Sequence, residues 1–316
     1  MAGTRIECLV LLDPPDGVRW GFPKAPADDA GSFPRRRDLL QFCFPEGGAY
    51  RAAEAREHIF ALTDGSGGRL FGFCLGGLQL RPAGARTGPS VHGRGSGSCL
   101  CLLSRRPSHT AFMMLLRHLH GVLLLYPEAA AHLAKEAVAA VNATAPASPE
   151  SSLGSLSAPG IAGLSGQELL KGRRDLLLGF PRGSEDALRQ VAIMPLLNKL
   201  GAHKFMLVLS ALLCERRVVF VSDTFSALSG WVLAAVAALH PFTWHGVLVP
   251  LLPKALLSFV AAPMPFVVGV HRAVLTDIAS MPLSDIVWVD LDKPCVRVGN
   301  SPSVLNAAAS RNSEDA

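Results

Sequence analysis

A chain of 316 residues with 49% hydrophobic content is long enough for one large domain or two of ordinary size, and it carries the apolar surface to bury sizeable cores. That excludes a chain disordered throughout. A net charge of +5 with 7% aromatics and basic residues scattered except at Arg35, Arg36 and Arg37 lacks the basic stripe with interleaved aromatics that nucleic-acid binding requires.

The first 25 residues hold Asp13, Asp16 and several prolines in place of a basic and then apolar leader, so no secretory signal is expected. From Arg5 to about Ser104 the apolar runs "IECLVLL", "EHIFALTD", "RLFGFCL" and "SCLCLLS" are short and bounded by polar or glycine-rich turns, and they read as strands. "DGSGG" between the second and third is a hairpin signal. Residues 76–97, rich in Gly, Arg and Pro, are too long for a tight turn and read as a mobile excursion. After Pro107, Ser108 or Thr110 is a candidate cap for a helix through "AFMMLLRHLHGVLLLY", and "EAAAHLAKEAVAAV" reads as a second helix. Strands followed by helices define a first α+β domain over residues 1–142, and the aperiodic Ser, Ala, Pro and Gly-rich residues 143–190 read as a linker.

The second domain, residues 191–299, starts with "HKFMLVLSALLC", apolar on nearly every face and so a buried helix. Three charges, Glu215, Arg216 and Arg217, separate it from "RVVFVSD", a β-branched and aromatic strand. There the arginines can face the helix's carbonyl end, and Glu215 can pair with either of them. "SALSGWVLAAVAAL", with Thr224 or Ser226 as candidate cap, and the strand-like "GVLVP" complete a βαβ unit, hence parallel strands. "PKALLSFV" fits a short helix starting at Pro253, "PFVVGV" a buried strand, and "DIVWVDLD" another strand with outward acids. The domain is therefore α/β around a mostly parallel buried sheet. Residues 300–316 are small and polar and read as a disordered tail.

A mean hydropathy of +0.32 makes a membrane span worth testing. The best candidate, residues 247–270, has one charge, Lys254, but Pro250, Pro253, Pro263 and Pro265 cut it far below the ~20 residues a spanning helix needs. It reads as buried core, with no transmembrane segment. Seven cysteines, odd in number and flanked mostly by Leu, Val and Phe, read as reduced core residues of a cytoplasmic protein. The lone sequon at Asn142 is then expected to carry no glycan.

Chemistry-bearing patterns are few. "GRGSGS", residues 93–98, could present amides to an anion but lacks the Gly-Lys-Ser/Thr ending and leads into a strand, so it reads as a flexible loop. His118 and His120 are two apart on a helix and point different ways, and His240 and His245 have no ligand partner at metal spacing. Cys99 and Cys101 share a strand face, which suits core packing. No metal, no cofactor and no catalytic group is expected, since no Gly-x-Ser-x-Gly elbow occurs and Asp285, Asp290 and Asp292 read as solvent-facing acids. Two α/β-type domains without a catalytic constellation point to a binding or regulatory role rather than an enzyme.

"ERRVVFVS", "FSALSGW", "HPFTWHGVLVPLLP" and "APMPFVVGV", in this order, resemble the central segment of the DENN domain family, and "FCFPEGG", "HIFALTDGSGGRLFGFCL" and "CLCLLSRRP" resemble its upstream segment. The connecdenn type is the nearest within it. The resemblance implies a two-lobed protein, with a longin-like N-terminal lobe and an α/β C-terminal lobe. It also implies guanine-nucleotide exchange on a Rab-type small GTPase docked across the inter-lobe cleft, in vesicle trafficking or endocytosis, with peripheral recruitment to endosomal or vesicle membranes and coat-associated proteins as further partners. The family's downstream helical segment has no counterpart after Asp292, so the alternative is a GTPase-binding or scaffold protein without exchange activity. Binding groups in an open α/β sheet lie past the strands' carboxyl ends, which nominates Ser222, Asp223 and Thr224, and with them Trp244 and His245. Helix capping for Asp223 and Thr224, and core packing for Trp244, are equally good readings.

Overall fold

Short apolar runs bounded by turn residues cannot sustain helices, and they bury their surface by pairing. The computed structural model describes residues 5–14, 17–29, 32–47, 56–78, 97–126, 129–143 and 193–303. It places the four expected N-terminal strands as β1 (Cys8–Asp13), β3 (Arg56–Thr63), β4 (Arg69–Leu78) and β5 (Ser98–Ser104). Two elements of this N-terminal part were not legible: β2 (Gly17–Phe22), a half-exposed strand interrupted by glycine, and the eight-residue helix α1 (Arg36–Cys43). The described residues separate into two units, one holding residues up to 43 with 70–78 and 97–143, the other holding 44–47, 56–69 and 193–303.

In the first unit the strands lie in the order β2-β1-β5-β4, antiparallel throughout. Both faces are covered, which is why β5 is buried at every position and shows no alternation. Helix α2 (His109–Leu125) lies on one face, where Phe112 packs 5.0 Å from Phe73 between ring centroids. The adjacent residue Cys74 points the other way and meets Cys43 of α1, sulfur to sulfur at 3.6 Å. At its end β4 carries a bulge between Leu75 and Leu78, where Gly77 takes φ +80°, a conformation glycine adopts without a Cβ clash. Helix α3 (Ala130–Ala143) ties its last turn to the chain ahead of β1 through Asn142. Asn142 Oδ1 accepts from the amides of Arg5 and Ile6 at 3.0 and 2.8 Å, and Nδ2 donates to the Ile6 carbonyl at 3.0 Å.

The "DGSGG" segment turns as expected: Asp64 Oδ1 accepts from the amides of Ser66 (3.0 Å) and Gly68 (2.8 Å), and Gly67 sits at φ +83°. Most of residues 76–97, the linker and the tail lie outside the described residues.

The second unit is built on a sheet of order β10-β9-β6-β8-β7. Its strands are β6 (Arg217–Ser222), β7 (Val247–Val249), β8 (Phe266–His271), β9 (Ile286–Asp290) and β10 (Cys295–Gly299). β6 pairs in parallel with β8 and β9, and β7 with β8; β10 alone is antiparallel. β6 and β7 are parallel, as a βαβ unit requires, but β8 lies between them. One face buries Val219, Val221, Val268 and Trp288 under a 3-10 helix (Lys254–Ala261) and α7 (Leu275–Ala279). Helix α6 (Phe225–Ala237) packs against β6 and β8, and also on β3. Ser229, in the middle of α6, donates to the Phe225 carbonyl (3.0 Å) and accepts the Ile59 amide of β3 (3.1 Å), so a buried donor of that strand is satisfied by the helix. Gly269 of β8 faces the same helix: a Cβ there would fall 2.1 Å from the Pro250 carbonyl and 3.0 Å from Leu228.

Helices α4 (Ile193–Leu200) and α5 (Ala202–Leu213) precede the sheet, and "GVLVP…VVGV" resolves into β7, the 3-10 helix and β8. No single described helix is long and apolar enough to cross a membrane; α4 and α5 together meet the test by length and composition but are bent by 116°. The end of α5 explains the charged triplet. Glu215 adopts φ +50°, its amide bonds the Leu212 carbonyl and the Arg216 amide the Ala211 carbonyl, each at 3.0 Å. That is a Schellman C-cap with glutamate in the position glycine normally takes. Backbone amides, not arginine side chains, therefore meet the helix's carbonyl end, and Arg216 pairs with Asp285 rather than Glu215.

Candidate functional site

β6 is the central strand, and the chain leaves it toward β7 while neighbouring β9 leads on to β10. The loops after β6 and β9 thus diverge, and the space between two such loops is where open α/β sheets bind. Three aspartates and one arginine meet there. The guanidinium of Arg272, just past β8, takes Asp290 in a two-pronged pair at 3.0 and 2.6 Å, reaches Asp292 at 2.8 Å and Asp223 at 3.1 Å. Asp292 in turn accepts from Ser222 Oγ (2.9 Å) and from the Asp223 amide (2.8 Å). Asp290 Oδ1 takes the amides of Asp292 and Lys293, both at 2.9 Å.

Asp290 is 1% exposed, which corrects the expectation of a solvent-facing acid: it terminates an all-buried strand, and the arginine is what makes its burial tolerable. Hydrogen bonding to Asp290 leads the causes that raise the Arg272 pKa, against desolvation. For Asp292, desolvation pushes upward, but the hydrogen bonds from Arg272, Ser222 and the Asp223 amide outweigh it and hold the carboxyl below its ordinary value. One arginine against three aspartates leaves these four residues at a formal charge of −2.

The nominated residues fall into two groups. Ser222 is buried, its hydroxyl donating to Asp292 and accepting the Thr224 amide (3.2 Å); it braces the loop and is not poised as a nucleophile. Asp223 is the outward member, its side chain 62% exposed. Thr224 is exposed and occupies the N-cap of α6, but its side chain makes no capping bond. His271 joins this group: Nδ1 accepts the Ala273 amide (3.3 Å), so Nε2 carries the proton toward the Asp223 carbonyl (2.8 Å). Its ring lies 4.5 Å from that of Phe225, over which the Arg56 guanidinium sits at 5.6 Å.

Trp244 and His245 precede β7, and because β7 runs parallel to β6 they lie at the opposite, amino-terminal edge of the sheet. Trp244 is buried, its Nε1 donating to the Val247 carbonyl (3.2 Å) and its carbonyl accepting from Arg69; His245 is exposed. Sequence reasoning missed Arg272 and His271. The available signal was "HR" closing one buried strand while "DLD" closes another.

The described residues thus form an antiparallel α+β unit and a mostly parallel α/β unit with a charge network at its strand ends. Comparison with known proteins says to which family the chain belongs. The DENN (AEX-3) domain model matches residues 96–294 and the uDENN domain model residues 18–76. The chain belongs to the DENN domain family. It is 28% identical over 257 residues to DENN domain-containing protein 2A of Mus musculus (80% of this chain, 23% of that protein). It is 30% identical over 263 residues to protein 1C of the same organism (80% and 31%), and 27% identical over 282 residues to protein 2D (82% and 54%). The chain spans about a quarter of the length of relatives such as 2A and human 2C.

Proposed function

We propose that this chain acts as a guanine-nucleotide exchange factor for a Rab-type small GTPase in membrane trafficking, working in the cytoplasm at endosomal or vesicle membranes. The carrying observation is that matches to the DENN and uDENN models together take in most of the chain from residue 18 to residue 294. Residues 1–142 and 191–299 serve as its two lobes.

Such exchange forms no covalent bond. The factor holds the nucleotide-free GTPase better than the loaded one, and a thousandfold faster release corresponds to ~4 kcal/mol of that preference. The partner-facing groups in this reading are Asp223 and Thr224 at the β6 end, with Ser222 and Arg272 holding them in place. His245, positioned by Trp244, is a separate contact at the other sheet edge. The net negative strand end suits a basic or amide-rich surface on the GTPase.

The test loads a panel of Rab proteins with a fluorescent GDP analogue and follows its release on adding the whole chain. Acceleration for at least one member, lost in Asp223→Arg, is expected. Binding without acceleration for any member would establish a scaffold instead.

A further inference from the structure

Four of the seven cysteines converge from three elements of the first unit. Cys74 of β4 and Cys101 of β5 are direct cross-strand partners. Cys99, two residues along β5, shares their face, and α1 closes Cys43 over them. All four are 0% exposed. The sulfurs of Cys43, Cys74 and Cys101 lie within 4.8 Å of one another, with Cys43 and Cys74 at 3.6 Å. Single buried thiols behave as small hydrophobes, but packing alone gives no reason for three sulfurs from three elements to gather within 4.8 Å.

A thiophilic ion bound at ~2.3 Å by three or four sulfurs holds them ~3.8–4.0 Å apart. The observed spacing reaches that with shifts under ~1 Å, within the range of χ1 adjustment. The geometry points to a closed structural site in which Cys43, Cys74 and Cys101 ligate one thiophilic d10 cation, Zn2+ or Cu+, with Cys99 within reach as a fourth ligand. Burial pushes the Cys43 and Cys74 thiols well above their ordinary value. Binding releases one proton to solvent for each sulfur that becomes a thiolate ligand, and this makes affinity rise with pH. Enclosure on all sides leaves no open coordination position, so the role is to pin α1 to the sheet. No spacing in the sequence could announce this, because the decisive ligand sits on a helix the sequence pattern does not reveal.

The whole chain, purified under reducing conditions, is reconstituted separately with Zn2+, Cu+ and Cd2+, freed of excess and analysed for metal. One ion per chain is expected, with a cadmium-thiolate ultraviolet band in the Cd2+ arm; the Zn2+ and Cu+ arms show which native ion is retained. The double variant Cys43→Ser, Cys74→Ser should lose the ion, and Cys214→Ser, at an exposed cysteine, should keep it. Should the double variant fail to fold, the wild-type chain decides alone: a chelator should lower its thermal midpoint. No bound ion and no cadmium band in the folded chain, no effect of the chelator, or an ion retained by a folded double variant, overturns the site.

Discussion

Single residues carry more of this fold than their types suggest. Glu215 closes α5 at φ +50°, where a side chain costs ~1–2 kcal/mol relative to glycine. Glu215→Gly should therefore raise stability by ~1 kcal/mol in urea unfolding, while Glu215→Ala should not. Arg272 is the reverse case. Arg272→Ala strands the buried Asp290 without its cation and should cost ~3–5 kcal/mol; Arg272→Lys should recover only part, because an ammonium cannot reproduce the two-pronged pair. The same network sets a pH dependence. Asp292 is depressed in the folded state, so the unfolded chain binds its proton more readily, and the stabilisation is full above an ordinary carboxyl pKa of ~4 and lost as pH falls through the folded value. As pH falls from about 6 to about 2, the wild type should therefore lose more of its own neutral-pH stability than Asp292→Asn does, read as urea midpoints by circular dichroism; an equal loss would contradict it. Asn142, the sequon residue, spends its amide on Arg5 and Ile6.

At the scale of elements, the parallel sheet owes its stability to faces that tolerate no extra volume. Gly269 lies against a backbone carbonyl rather than a pliable side chain, so Gly269→Ala should destabilise by more than ~2 kcal/mol despite adding one methyl. Ser229→Ala should cost ~1–3 kcal/mol by leaving the buried Ile59 amide unpaired. β6, β8 and β9 were legible because strands buried on both faces read as continuous Val, Ile and Phe runs. β10, "CVRVG", was not: a half-exposed edge strand carries too little apolar signal. The β6 strand end could be read as a site position, since a β-branched run ending in Ser-Asp before a helix is a local pattern. Its partners Arg272, Asp290 and Asp292 could not, because parallel pairing joins residues some 50 to 70 positions apart, as in the Ser222 to Asp292 bond. For the same reason Trp244 and His245, near Ser222 in the chain, belong to the other sheet edge.

For the whole molecule, two-unit organisation followed from a composition change along the chain. What the sequence could not show is that residues 44–47 and 56–69 group with the second unit, a long-range association that no linear boundary expresses. The proposed exchange activity would rest on unequal affinity for two states of the partner. The most direct test of the proposal mixes the chain with each Rab of the panel, with nucleotide either stripped by a magnesium chelator or held in excess, and separates the species by size. The account predicts a stable complex only with the nucleotide-free GTPase, dissolved on adding GDP or GTP with magnesium. Equal co-elution with the loaded and empty forms would contradict it.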